Sequence, residues 1–285
     1  RCIPPSPRDN FKQSRRAGIQ YRDRFMLYNW EFLDRKEEDL IARGIREDTV
    51  HGGPFHLVLS PTNRCNFQCF FCNQDDKTQE LDWPVFQRIL QQGVSMGVRG
   101  LTLLGGGEPL VYSNIADLWD FMERHSLRLY DITTNASRID RDTARRFHRL
   151  GLRCLTVSLN ETTPDSHTAS CGSSPELFQS AVAGIRHVIE TGGNRRSDFE
   201  VRVQIFIWKR NFRRMGEMID AVAALQPDRI YVNTMDGLPD HLRLTASERR
   251  EWTPLLEESV RRWGALLQFR LVPEHMHRVA EELLA

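Results

Sequence analysis

From Phe55 onward, short apolar runs alternate with stretches in which apolar residues recur at helical spacing. This alternation is typical of βαβ units, in which helices join parallel strands and cover the sheet. The pattern predicts six strands, over residues 55–60, 101–105, 127–134, 153–160, 200–208 and 229–235. Helical stripes lie between them, for example Ile115, Leu118, Trp119 and Met122 at positions i, i+3, i+4 and i+7.

The later predicted strands have one apolar and one polar face, because successive side chains of a strand point to opposite sides of the sheet. In the fifth strand, the apolar set opposes a mostly polar set: Val201, Val203, Ile205 and Ile207 against Arg202, Gln204 and Phe206. A closed eight-stranded barrel is filled by branched apolar side chains. A polar inner face instead favours an open α/β fold, a partial (β/α)6 TIM-like barrel whose interior admits ligands.

The segments on either side of this barrel have a different pattern. Before Thr49, charged and aromatic residues at loose helical spacing predict an N-terminal helical extension over residues 1–50. The barrel is predicted over residues 51–240, and a C-terminal helix and tail over residues 241–285. Because the chain begins at Arg1 and not at a methionine, we expect a piece trimmed from a longer protein, with a C-terminus that is also open to truncation.

Composition narrows the class of protein. The 285 residues are 40% hydrophobic and 27% charged, an ordinary globular balance. The net charge of +1 gives no electrostatic basis for binding nucleic acid. The apolar runs are far shorter than the roughly 18 residues of a membrane span. We therefore expect neither nucleic acid nor membrane as a partner, and cysteine usage that suits metal better than disulfides predicts a reducing, cytoplasmic setting.

Three of the six cysteines, Cys65, Cys69 and Cys72, follow the first predicted strand in a CxxxCxxC arrangement. Thiolates this close can converge on one soft metal centre. A structural zinc site normally has four protein ligands, which His51 or His56 could complete, and a ferredoxin site needs a fourth cysteine. Three thiolates on a [4Fe-4S] cluster leave one iron free for a chelating amino acid, so the iron-sulfur interpretation is favoured. A non-catalytic, zinc-stabilised interaction module stays as the alternative.

CxxxCxxC with Phe71 just before the last cysteine resembles the radical S-adenosylmethionine (radical SAM) superfamily. The resemblance implies that Cys65, Cys69 and Cys72 hold a [4Fe-4S] cluster and that Phe71 lies against the adenine of S-adenosylmethionine, with Asn73 beside the same cofactor. The run from Leu103 to Pro109 is similar to the GGE motif of the family. It implies that Gly106, Gly107 and Glu108 bind the methionine amino group.

Two further strand ends carry the resemblance, which covers about residues 55–237. Asn135 ends a segment similar to the TNG or TNA element, and Ser158 and Asn160 stand in a segment similar to SLD, with Asn in place of the usual Asp. In the peptide-modifying SPASM-type members an Arg commonly stands where this chain has Cys171. No cysteine follows Cys171 in residues 172–285, so we expect either an enzyme that works with one cluster or a C-terminus that has been cut before an auxiliary-cluster domain.

The resemblance implies an oxidoreductase or lyase-type enzyme that cleaves S-adenosylmethionine reductively and abstracts hydrogen from a substrate. It also implies an external electron donor of the flavodoxin or ferredoxin type. The substrate is expected to be a peptide or a small molecule such as a sugar or nucleoside. Polar residues at the ends of the fifth and sixth strands are the candidates for contacting it: Gln204, Asn233 and Asp236.

Overall fold

The computed structural model describes residues 35–192, 199–234, 238 and 240–270. The chain divides into two compact units, residues 52–271 and residues 1–51 with 272–285. In the smaller unit, helix α1 (Arg35–Glu47) lies within the predicted N-terminal extension, and the remainder of that prediction concerns residues outside the described ones. Among the described residues, no helix combines the length and the apolar character that crossing a bilayer would require.

The larger unit is an α/β structure built on a parallel sheet, as predicted. The described sheet has seven strands in the order β1 to β7, and every neighbouring pair is parallel. The strands are β1 (His56–Leu59), β2 (Gly100–Leu103), β3 (Arg128–Thr134), β4 (Cys154–Ser158), β5 (Glu200–Ile207), β6 (Arg229–Thr234) and β7 (Leu267–Arg270). The helices are α2 (Trp83–Ser95), α3 (Ile115–Arg124), α4 (Arg141–Arg149), α5 (Pro164–Cys171), α6 (Pro175–Thr191), α7 (Met215–Ala223) and α8 (Ala246–Trp263), with short 3₁₀ turns at Pro109–Val111, Phe212–Arg214 and Asp240–Leu242.

The six predicted strands are confirmed, with bounds that differ by no more than two residues at either end. The seventh strand, β7, was not predicted. It pairs with β6, placing Leu267 opposite Ile230. Its sequence, Leu-Gln-Phe-Arg, is short and alternates apolar with polar residues, so it forms no continuous apolar run. The predicted α/β fold class is confirmed with one strand more than the six predicted, and β1 and β7 form the two edges of the described sheet.

The predicted division of a strand into two faces is confirmed for β5, whereas in β4 and β6 residues of both faces are mostly buried. Along β5, Val201, Val203, Ile205 and Ile207 are buried, and the side chains between them are only half-buried. Helices cover the apolar face with their own apolar stripes, for example Phe178, Ala181, Ile185 and Val188 of α6. Burying each large apolar side chain contributes about 1.5–3 kcal/mol.

This arrangement positions the site, because the carboxyl ends of parallel strands lie at one edge of a sheet, and ligands commonly bind beside that edge in α/β folds. The predicted motifs follow β1, β2, β3 and β4 in turn.

Candidate active site

The loop after β1 carries the three cysteines, and backbone hydrogen bonds close it at its base. The amide of Asn63 donates to the Gln79 carbonyl and the amide of Leu81 to the Pro61 carbonyl, both at 2.8 Å. Cys65, Cys69 and Cys72 are free and half-buried within this loop. A turn in which the Cys72 amide donates to the Cys69 carbonyl, at 3.1 Å, sets the spacing of the last two.

The thiols differ in their electrostatic surroundings. Burial raises the pKa of Cys65 to about 11, although the amide of Phe67 donates to its sulfur at 3.4 Å. A hydrogen bond with the Cys171 thiol lowers the pKa of Cys69, and nearby Lys77 acts in the same direction. In the described part of the chain, no three His, Cys, Asp or Glu side chains meet the geometry for holding a single metal ion. A [4Fe-4S] cluster makes a different demand, since each thiolate binds a different iron. The donor set, three partly accessible thiols on one loop, fits such a cluster.

The glycine-rich loop after β2 packs directly on the cysteine loop. The amides of Gly106, Gly107 and Glu108 donate to Ser60 Oγ, the Thr62 carbonyl and the Arg64 carbonyl at 3.2, 3.1 and 2.8 Å. A Cβ on Gly107 would lie 2.1 Å from the Arg64 carbonyl oxygen. Glycine is therefore needed at position 107 for close approach of two backbones.

Glu108 is buried and bonded on both carboxylate oxygens. Its Oε1 accepts from the Leu110 amide at 3.1 Å and from Thr134 Oγ1 at 2.7 Å, and its Oε2 accepts from the Asn135 amide at 2.7 Å. Burial raises the pKa of this carboxyl group, and its effect is larger than that of the hydrogen bonds, which lower the pKa. In this structure the Glu108 side chain ties the loop after β2 to the end of β3.

Asn135 links the end of β3 to the cysteine loop. Its Nδ2 donates to Asn66 Oδ1 at 2.9 Å, and Asn66 Nδ2 donates to Ser137 Oγ at 2.8 Å. Ala136, the next residue, has a φ of 60° in the left-handed region. The Asn135 side chain thus fixes the residue that directly follows Cys65.

An aromatic wall borders the cysteine loop. The ring of Phe71 lies 5.0 Å from that of Trp208 and 6.2 Å from that of Phe206, measured between centroids. Trp208 packs further against Leu238 and Leu242. Its side chain is 2% exposed, yet its indole Nε1–H has no hydrogen-bond partner in the structure.

Three consecutive strands, β4 to β6, each carry at or near their end a buried polar atom that has no hydrogen-bond partner in the structure. Besides Trp208 Nε1 after β5, these are Asn160 Oδ1 after β4 and Asn233 Oδ1 in β6, each on a residue that is 4% exposed. Buried polar groups normally have partners. Unpartnered atoms at neighbouring strand ends, beside an aromatic wall, fit a pocket whose missing partners belong to a ligand.

The other predicted site residues take varied positions. Ser158 and Gln204 are half-buried and lie opposite each other in the β4–β5 register, whereas Asn73 is exposed. Asp236 lies outside the described residues. The cofactor contacts expected of Ser158 and Asn73 stay predictions. The substrate contacts expected of Gln204 and Asp236 do so as well.

Several positioning residues escaped prediction. Asn66 occupies a variable place of the cysteine motif. Asn211, beyond β5, accepts from the Trp208 amide with Oδ1 and donates to the Phe206 carbonyl with Nδ2, both at 2.8 Å. Trp208 follows directly after β5, and its unpaired indole nitrogen is visible only in three dimensions.

A cysteine loop after the first strand of an open parallel α/β sheet, braced by a glycine-rich loop after the second, defines a radical SAM fold. The family model "Radical SAM superfamily" matches residues 59–222, more than half of the chain, and the chain belongs to that family. Enzymes of this family use a [4Fe-4S] cluster and S-adenosylmethionine.

Curated relatives share part of the sequence. GTP 3',8-cyclase 2 of Pseudomonas aeruginosa is 28% identical over 212 residues, which are 72% of this chain and 60% of that protein. GTP 3',8-cyclase of Rhodopseudomonas palustris is 35% identical over 124 residues, 39% of this chain and 34% of that protein. The chain thus spans at most about 60% of the length of these relatives.

Solved structures share the fold at lower identity. Streptococcus suis SuiB bound to S-adenosylmethionine has a TM-score of 0.57 at 19% identity, covering 93% of this chain and 61% of that one. The anSMEcpe enzyme with bound AdoMet has a TM-score of 0.60 at 13% identity, covering 76% and 64%. At these identities the likeness concerns the fold alone.

Proposed function

We propose that this chain generates a radical from S-adenosylmethionine and uses it to abstract hydrogen from a nucleotide substrate. The observation that carries the proposal is the set of unpartnered polar atoms of Asn160, Trp208 and Asn233 beside the aromatic wall. A flat base offers π-faces for stacking and edge atoms for hydrogen bonds, so an aromatic wall with isolated donors and acceptors suits nucleotide chemistry.

Cys65, Cys69 and Cys72 would hold the cluster, which when bound supplies the electron that breaks the carbon-sulfur bond of S-adenosylmethionine. The amides of Gly106, Gly107 and Glu108 are already used by the cysteine loop. An amino group needs acceptors, so the carbonyl oxygens of this loop are the groups left to bind the methionine end. Glu108 would act by holding those carbonyls in place.

The ring of Phe71 would lie against the adenine, and Asn160 would accept a hydrogen bond from a ribose hydroxyl. Asn233 and Gln204 would contact the substrate. Because the Trp208 indole can only donate, its partner must be an acceptor, such as a ring nitrogen or carbonyl of a base. The buried walls keep water away from the reacting atoms.

The choice of a nucleotide over a peptide is supported by the names of the relatives in sequence, which are GTP 3',8-cyclases. A SuiB structure bound to a precursor peptide, with a TM-score of 0.58 at 19% identity, keeps a peptide substrate as the second candidate. We also propose a flavodoxin or ferredoxin as electron donor and a cytoplasmic location, since an accessible cluster needs reducing surroundings.

The test uses the anaerobically reconstituted protein with S-adenosylmethionine, a chemical reductant and ribose-deuterated GTP. We expect GTP to accelerate 5′-deoxyadenosine formation and deuterium to appear in that product, as measured by mass spectrometry. Deuterium transfer from a deuterated peptide library, and none from nucleotides, would replace the nucleotide proposal with the peptide one.

Trp208→Phe is the variant for this experiment, because it keeps an aromatic ring and removes the indole donor, together with the second ring of this buried side chain. We expect its activity to fall by about tenfold, the value of one lost hydrogen bond of about 1.4 kcal/mol. Unchanged activity would remove Trp208 from the proposed pocket.

A further inference from the structure

A fourth sulfur, that of Cys171, lies against the cysteine loop. Cys171 is the last residue of α5 and is 1% exposed. The amide of Gln68 donates to the Cys171 carbonyl at 2.8 Å, and the amide of Phe70 donates to the Ser170 carbonyl at 3.2 Å. Because these two amides flank Cys69, the end of α5 is fixed against the middle cysteine of the motif.

The backbone can turn away from the cysteine loop directly after Cys171 because the next residue is a glycine. Gly172 has a φ of +54°, and a Cβ there would lie 2.8 Å from the Gln68 carbonyl oxygen. Glycine thus permits both the left-handed helix end and the close approach to the cysteine loop. The local backbone is built to hold residue 171 beside residue 69.

The backbone contacts place the side chain of Cys171 next to that of Cys69, close enough for the Cys171 thiol to lower the pKa of Cys69. When Cys69 binds a cluster, its sulfur is a thiolate and can only accept, so the thiol of Cys171 must be the donor. This reasoning rests on one part of the proposed function, the cluster, and does not depend on which substrate the protein takes.

A fourth cluster ligand is the rival role for Cys171. Cluster thiolates extend outward from different irons, so two ligand sulfurs stand well apart. A sulfur held within hydrogen-bonding reach of the sulfur of Cys69 would be too close to occupy another corner of the cluster without moving, and two backbone hydrogen bonds hold the end of α5 in place.

We propose that Cys171 is a positioning residue that donates its S–H to the cluster-binding sulfur of Cys69 and thereby raises the reduction potential of the cluster. Hydrogen bonds to cluster sulfurs tune this potential. The reduced cluster carries one more negative charge than the oxidised one, so a donor stabilises the reduced form more. Cys171 would therefore ease electron uptake without closing the open iron.

The test compares reconstituted wild-type protein with Cys171→Ala and Cys171→Ser. Thr168→Ala is the control, because Thr168 lies on the same helix and its hydroxyl has no hydrogen-bond partner in the structure. For each protein we would measure iron and sulfide content, the midpoint potential by redox titration, and the electron paramagnetic resonance spectrum of the reduced cluster with and without S-adenosylmethionine.

We expect all four proteins to bind equal iron and to show a spectral change with S-adenosylmethionine. Cys171→Ala should be harder to reduce by about tenfold in equilibrium constant, which is about 59 mV for one electron. Cys171→Ser, which keeps a donor, should lie at or above the wild-type potential. Thr168→Ala should match the wild type.

Equal potentials in wild-type protein and Cys171→Ala would overturn the proposal. So would a spectral response to S-adenosylmethionine that appears only after Cys171 is replaced, which would mark Cys171 as the fourth ligand. If Cys171→Ala does not fold, Cys171→Ser decides, and a potential below that of the wild type contradicts donation. Failure on nucleotide substrates with normal potentials would count against the proposed function alone.

Discussion

Replacing Glu108 separates two roles for the glutamate of the glycine-rich loop. The resemblance to the family predicts that this side chain contributes to binding the methionine amino group. In the structure, its carboxylate instead accepts hydrogen bonds from the Leu110 amide, the Thr134 hydroxyl and the Asn135 amide. The first role predicts a loss of cofactor affinity alone, and the second a loss of stability.

The expected loss of stability follows from the hydrogen-bond donors that lose their acceptor when Glu108 is replaced. Glu108→Ala leaves two backbone amides without an acceptor, the buried one of Asn135 and the partly buried one of Leu110, and each unsatisfied group costs about 1–3 kcal/mol. The total of about 2–6 kcal/mol is a large part of the 5–15 kcal/mol that stabilises a typical domain. Glu108→Gln keeps one acceptor oxygen but turns an NH₂ group toward a donor, so it should cost about 1–3 kcal/mol.

Denaturant unfolding under anaerobic conditions measures these costs, and isothermal titration with S-adenosylmethionine measures cofactor affinity. We expect stability to fall in the order wild type, Glu108→Gln, Glu108→Ala, with affinity falling only as the loop loosens. If Glu108→Gln kept wild-type stability and lost its affinity for S-adenosylmethionine, the bracing role would be refuted and the direct role supported.

Two further predictions concern Gly107 of the glycine-rich loop and His167, a buried residue of α5. Gly107→Ala should lower the free energy of unfolding by about 1–3 kcal/mol in thermal unfolding, because its methyl group would meet the Arg64 carbonyl. Gly216→Ala in α7, where nothing lies within 4 Å of the added methyl group, should stabilise the protein by about 0.5–1 kcal/mol. Equal effects of the two substitutions would contradict the close approach at Gly107. Burial lowers the pKa of His167 from 6.5 to about 4. The unfolded chain therefore takes up a proton that the folded chain does not, and stability should fall by about 2 kcal/mol from pH 7 to pH 5. Glutamine does not titrate, so His167→Gln should lack this loss of about 2 kcal/mol in stability when its unfolding by denaturant is compared at pH 7 and pH 5. If the variant and the wild type lost the same stability, His167 would not be the source of the pH dependence.

The pattern of apolar residues was enough to predict the α/β class and the six strands from β1 to β6, because each lies in a short segment rich in apolar residues between amphipathic helical stretches. β7 was missed because it is short and half polar. Its pairing with β6 depends on where α8 brings the chain back, which no local pattern encodes.

The site shows the same division between local and long-range information. The spacing of Cys65, Cys69 and Cys72 is local and visible in the sequence. The bracing of this loop is not, because Asn66, Asn135 and Cys171 are far apart in the chain and meet only when the strand ends and α5 come together. Glu108 stands in a recognisable motif, but only the structure reveals that its carboxylate is used within the protein.

Everything proposed for this chain depends on three thiolates holding a cluster with one open iron. The direct test is to reconstitute the wild-type protein and the single Cys65→Ala, Cys69→Ala and Cys72→Ala variants anaerobically, then measure bound iron and 5′-deoxyadenosine formed from S-adenosylmethionine with reductant. We predict the iron content of a [4Fe-4S] cluster and product for the wild type, and no product for any variant. Zinc in place of iron, or product formation that survives loss of one of these cysteines, would contradict the account.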